Sequence, residues 1–137
     1  MTVLVGWVPK PEGEAALDRA IFEAKLRGED LVVLNTTSGA SYADASYATD
    51  EQVQQVQDKL AASGVTHDVR HAVHGKQPSA EVLEMAEEVG ASLIVIGLRH
   101  RSSVGKFLMG STAQEILLGS RCPVLSVPAP NQHRFFG

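Results

Sequence analysis

At 137 residues the chain has the length of one ordinary domain, and 44% hydrophobic with 20% charged residues suits a domain that buries a single core. A net charge of −4 argues against broad binding to nucleic acid or to an anionic membrane surface. The single cysteine, Cys122, excludes a disulfide framework and a thiolate metal cluster, and no apolar run approaches the roughly 20 residues of a membrane span.

Thr2 to Val8 is apolar and β-branched, the pattern of a buried strand, and Pro9-Lys10-Pro11-Glu12-Gly13 reads as the turn after it. From Glu14 to Arg27, Ala16, Leu17, Ala20, Ile21 and Ala24 recur at helical spacing, and Gly28 ends the helix. Asp30 to Asn35 predicts a second buried strand. Residues 36–49 show no period and form a long loop, a length usually kept for function. Asp50 to Ser63 then carries Val53, Val56 and Leu60 on one helical face, and Val65 to Val73 alternates like a half-exposed strand. Pro78 suits the first position of a helix that runs to about Val89. That helix is expected to bury Val82, Leu83, Ala86 and Val89 and to turn Glu81, Glu84, Glu87 and Glu88 to water.

Ser92-Leu93-Ile94-Val95-Ile96 predicts the central strand, which Gly97 ends. A cationic loop follows: between Glu88 and Glu115 there is no acidic residue, while Arg99, Arg101 and Lys106 lie inside the gap. Gly110-Ser111-Thr112 leads into a short helix with Ser111, spaced from Gln114 as in a capping box, as its N-cap, and Gly119 as its end. Pro123 to Val127 is a last strand. A helix N-terminus offers unpaired N–H groups and partial positive charge, so this loop has the chemistry to receive an anion. A solvated basic loop has the same composition.

Strand and helix alternate from end to end, which predicts an α/β fold: a single three-layer, open, parallel five-stranded sheet with helices on both faces. Ligands of such sheets collect outside the carboxyl ends of the strands, where the strand order reverses. The common nucleotide fingerprints are absent. Gly105-Lys106 fails as a P-loop, since His100 and Phe107 stand where Gly and Ser or Thr belong, and no Gly-x-Gly-x-x-Gly follows the first strand. His67 and His71 share a strand face but lie about 13 Å apart, with His74 on the other side, so they cannot share a metal ion. No basic leader opens the chain, and a cytoplasmic location is expected.

The alternation, the Gly97 loop and the ending Gly110-Ser111…Cys122-Pro123-Val124-Leu125-Ser126-Val127-Pro128 together resemble the universal stress protein (UspA-type) domain. The likeness covers roughly residues 2–128, which divides the chain into a domain at 1–128 and a tail at 129–137. The family's ATP-binding members carry Gly-x2-Gly-x9-Gly-(Ser/Thr), which falls here on Gly97, His100, Gly110 and Ser111, with His100 in place of the second glycine. The resemblance implies a Rossmann-like fold of the adenine nucleotide alpha hydrolase type, and ATP or a related adenine nucleotide as ligand, with any Mg²⁺ carried by the nucleotide. Amide groups from His100 through Arg101, Ser102 and Ser103, and at Gly110 and Ser111, would hold the phosphates, with Arg99 and Thr112 beside them. Gly97 would face the ribose, and Asn35 would add a contact from the second strand's end. Val8, followed by Pro9, stands where the family's adenine-binding Asp belongs, so that carboxylate is missing. The likeness also implies a homodimer through the last strand, by Val124, Leu125, Ser126 and Val127, and at most slow hydrolysis. The competing reading is a dimeric interaction module in the stress response that has lost the nucleotide, or binds another anionic metabolite.

Overall fold

The computed structural model describes residues 1–36, 48–72, 76–98 and 110–130. The elements are β1 (Thr2–Trp7), α1 (Pro11–Arg27), β2 (Asp30–Asn35), α2 (Asp50–Ser63), β3 (His67–His71), α3 (Pro78–Val89), β4 (Ala91–Leu98), α4 (Ser111–Gly119) and β5 (Val124–Pro128). All five strands are parallel, in the order β3-β2-β1-β4-β5. The predicted α/β architecture is therefore the observed one.

Side-chain alternation along the strands separates two cores. On one face Val3, Val5, Trp7, Leu31, Val33, Leu93 and Val95 meet Ala16, Leu17, Ala20 and Ala24 of α1 and Val56 and Leu60 of α2. On the other, Leu4, Val32, Leu34, Ile94 and Ile96 meet Val82 of α3 and Ala113 and Ile116 of α4. The three inner strands, covered on both sides, read as near-continuous apolar runs for this reason.

Several boundaries move from the sequence-based expectation. The α1 helix starts at Pro11 rather than Glu14, because Pro11 occupies the first helical position, where its missing N–H costs nothing and its φ is already helical. Gly97 does not end β4. It lies within the strand, opposite Val127 of β5. Ser111 is not an N-cap: Gly110, extended at φ −75°, ψ 166°, takes that place without a side-chain cap, and Ser111 becomes the first helical residue. The capping box forms on α2 instead, where the Thr49 hydroxyl accepts from Gln52 N–H and Gln52 Oε1 accepts from Thr49 N–H. Gly119 is the last helical residue of α4, ahead of an extended Ser120, and a Cβ there would stand 2.8 Å from Leu83 Cδ1. Its smallness serves the contact between α3 and α4. By contrast Gly28 does cap α1, at φ 65°.

Glu81 departs furthest. It was expected to face water with Glu84, Glu87 and Glu88, yet it is 7% exposed, and Ser79 beside it is 6% exposed. Both lie in the first turn or so of α3, which holds all the buried residues of that helix and where the unpaired amides favour a carboxylate.

Candidate functional site

The strand order reverses between β1 and β4: the chain leaves β1 toward β2 and leaves β4 toward β5. A crevice at the carboxyl ends of these two strands follows from that topology. Trp7 ends β1, with Val8 directly after it, and Gly97 and Leu98 end β4.

One wall is the first turn of α1, held by close backbone approach. Lys10 N–H donates to the Val8 carbonyl at 2.8 Å, and Glu14 N–H donates to the Lys10 carbonyl at 2.9 Å. A Cβ at Gly13 would stand 1.8 Å from the Val8 carbonyl oxygen, and one at Gly97 would stand 2.2 Å from the Glu12 carbonyl oxygen. Two glycines thus let α1 sit directly on the ends of both strands. The bare side of Gly97, expected to meet the ribose, is filled by Glu12 backbone. Val8 and Pro9 are half-buried at the β1 end, and neither side chain can ionise.

On the other face of the sheet α4 begins at Ser111. The first intrahelical bond runs from Gln114 N–H to the Gly110 carbonyl at 3.1 Å, and no side chain caps the turn. The amides of Ser111, Thr112 and Ala113 therefore lie ahead of the helical bonding pattern, with Ser111 and Thr112 exposed. Gly110 is half-buried beside them. Arg99, His100, Arg101, Ser102 and Ser103, the rest of the expected phosphate-binding set, lie outside the described residues.

The side chain of Asn35 has a structural role at the strand ends. Fully buried at the β2 end, it donates from Nδ2 to the carbonyls of Trp7 (3.1 Å) and Thr36 (3.3 Å). Its Oδ1 accepts from Ala48 N–H at 3.1 Å and lies 3.3 Å from His71 Nδ1. Thr36 N–H also reaches the Trp7 carbonyl (3.0 Å), and Ala72 N–H reaches the Asn35 carbonyl (2.9 Å). The side chain ties the ends of β1, β2 and β3 to the approach to α2.

Among the described residues two buried side-chain atoms have no hydrogen-bond partner: Trp7 Nε1 and Glu81 Oε1. Sequence reading missed Glu81, although its spacing from Pro78 and Met85 places it near the helix face that Val82 occupies. Lys76, just before α3, bonds Glu84 at 2.7 Å. That bond holds its ammonium above the ordinary lysine range, with a smaller pull from Glu81.

Elsewhere, a cavity of about 350 Å³ opens at the amino ends of β1, β2 and β3, lined in part by Asp30, His67, Asp68, Arg70 and Glu88. Arg70 is occupied by Asp68 (2.8 Å) and Glu88 (3.4 Å) within it, and the bond to Asp68 chiefly raises its pKa. No group of three or more metal-ligating side chains occurs among the described residues, and no helix there is long and apolar enough to cross a membrane. On the β5 edge Val124, Leu125, Ser126 and Val127 are all half-buried, and β4 is the strand's one partner among the described residues.

A family model described as the universal stress protein family matches residues 1–128. A universal stress protein of Mycolicibacterium smegmatis is 42% identical over 125 residues, spanning 91% of this chain and 95% of that protein. Among solved structures, the universal stress protein of Archaeoglobus fulgidus in complex with dAMP matches with a TM-score of 0.64 and 24% identity, over 92% of this chain and 95% of that one. A universal stress protein solved in complex with cAMP matches with a TM-score of 0.70 and 24% identity, over 95% and 98% of the two chains.

Proposed function

The chain belongs to the universal stress protein family, and on that premise we propose that it binds an adenine nucleotide, ATP or a close relative, across the carboxyl ends of β1 and β4. The observation that carries this reading is the uncapped N-terminus of α4. Its first amides have no partner within the helix, and α4 belongs to the connection that leaves the sheet at its switch point, where a phosphate would satisfy both the donors and the helix dipole. Gly110, Ser111 and Thr112 form the described part of the cradle, and Arg99, His100, Arg101, Ser102 and Ser103 belong to the same proposed set. Relatives of the same fold solved with dAMP and cAMP support an adenine nucleotide as the ligand class.

Heating the purified protein should release a nucleotide detectable by absorbance and chromatography. ATP at a hundred times its Kd should add about 2.7 kcal/mol of stability, which for a domain of this size raises Tm by about 8 °C. Gly110→Val should abolish that shift, because the branched side chain crowds the amides while φ −75°, ψ 166° remains open to valine. The apo Tm should fall by no more than a few degrees. If no nucleotide is released and millimolar ATP leaves Tm unchanged, the reading fails. The apolar Val8 at the β1 end then favours the interaction module.

The same reading includes a homodimer through Val124, Leu125, Ser126 and Val127, since an exposed parallel edge offers unpaired N–H and C=O groups to a second copy. Light scattering should give twice the chain mass. A monomer at micromolar concentration would refute it.

A further inference from the structure

We propose that Glu81 determines specificity in this site: its buried carboxylate accepts a hydrogen bond from a neutral donor of the nucleotide, the exocyclic amine of the base or a ribose hydroxyl. The inference rests on the nucleotide reading above and adds to it the end of the crevice where the base and sugar lie.

The residue is 7% exposed, and its Oε1 has no partner. Leaving a buried acceptor unsatisfied is costly, and a donor group of a ligand would satisfy it. The first turns of α3 lie over the ends of β1 and β2: Val82 Cγ2 is 3.6 Å, and the Thr36 methyl 3.9 Å, from the point a Cβ at Gly6 would occupy. Gly6 is two residues from Val8, on the side of the sheet that α3 and α4 cover.

Around α3 the polar groups divide. Ser79 turns toward α4, where its hydroxyl donates to Glu115 at 2.9 Å. Glu81, about 200° further round the helix axis, lies on the other flank. It shares that flank with Met85, whose sulfur lies 3.3 Å from Arg70 Nη1 of β3. Lys76, the nearest cation in sequence, is bonded to Glu84 instead.

Through Val82, Ala113 and Ile116 the helices α3 and α4 cover the same face of the sheet, and the proposal sets the α4 amides at one end of a ligand there and the Glu81 carboxylate at the other. One end suits an anion. The other repels phosphate and requires a donor. A nucleotide is a molecule with that polarity: its phosphates carry only acceptors, while its base amine and ribose hydroxyls donate.

The test is calorimetric titration of the wild-type chain, Glu81→Gln and Glu81→Met with five probes: ATP, inosine triphosphate, the 2′- and 3′-deoxy forms of ATP, and inorganic tripolyphosphate. Wild type should bind ATP about tenfold more tightly than the analogue that lacks the donor in question. Inosine triphosphate identifies the amine, and a deoxy form identifies the hydroxyl. In Glu81→Met that preference should shrink below twofold while tripolyphosphate binds as in wild type, and Glu81→Gln should fall between. Both variants should melt at or above the wild-type Tm, because an unsatisfied buried carboxylate has been removed. ATP affinity and selectivity unchanged in both variants would overturn the proposal and leave the nucleotide reading standing. Loss of tripolyphosphate binding in the variants would also overturn it, since Glu81 would then act through the fold. If the wild-type chain binds no ATP, both fall together.

Discussion

Gly13→Ala lowers the stability of the domain by about 3 kcal/mol or more, enough to reduce Tm by roughly 10 to 15 °C. The expectation from helix propensity alone has the opposite sign, since Gly to Ala inside an unobstructed helix gains about 1 kcal/mol. The contact decides the sign. A Cβ at Gly13 would lie 1.8 Å from the Val8 carbonyl oxygen and 2.8 Å from the Val8 carbonyl carbon and amide nitrogen. These are backbone atoms at the end of a buried strand, and the Val8 carbonyl already accepts from Lys10 N–H. No rotamer change relieves such an overlap, so α1 must lift off the strand, exposing the apolar face it buries through Ala16, Leu17 and Ala20. Gly97→Ala should do similar damage from the other side, its Cβ falling 2.2 Å from the Glu12 carbonyl oxygen. Because both act on one helix turn, the double variant should lose less than the sum of the singles. Thermal and urea melts measure all three. A Gly13→Ala protein as stable as wild type would show that α1 does not dock as described.

Asn35→Leu should cost about 3 kcal/mol or more, at nearly constant side-chain volume. The substitution removes both amide donors and the acceptor at once. It leaves the Thr36 carbonyl and Ala48 N–H without the bonds Asn35 gives them, in a region where Asn35 itself has no exposure. The Trp7 carbonyl keeps the bond from Thr36 N–H, so its loss is partial. Asn35→Asp separates the two halves of the role. A carboxylate still accepts from Ala48 N–H, but it sets its lone pairs against the Trp7 and Thr36 carbonyls, so this nearly isosteric change should also destabilise by 2 kcal/mol or so. Hydrogen exchange gives a sharper readout than melting: protection should be lost first at the β1, β2 and β3 ends and around Ala48. An Asn35→Leu variant with wild-type exchange at those amides would refute the assignment.

The two residues differ in how far sequence could reveal them. Asn35 stands at a strand end, where ligand contacts and structural ties look alike in one dimension. The four groups its side chain meets come from β1, β3, its own neighbour and the approach to α2. Gly13 read as part of a turn, because two prolines and a glycine within five residues are the usual marks of one. That Pro11 opens the helix was available from the same rule that placed Pro78. Glu81 was assigned to water by the company it keeps, three other glutamates on the same helix. The missing signal is how α3 docks, which places all its buried residues, Pro78, Ser79, Glu81 and Val82, at its start.

The sequence by itself determined the class of fold, the nine elements in their order and the apolar residues that make the two cores. These depend on local propensity and on the 2.0 and 3.6 residue periods, and both are written along the chain. Only the tertiary structure decided which glycines are close-contact sites, which polar side chain ties three strands together, and which carboxylate is buried without a partner. Each of those is a meeting of segments distant in sequence, and its energy is set by gaps of a few ångströms that no one-dimensional pattern records.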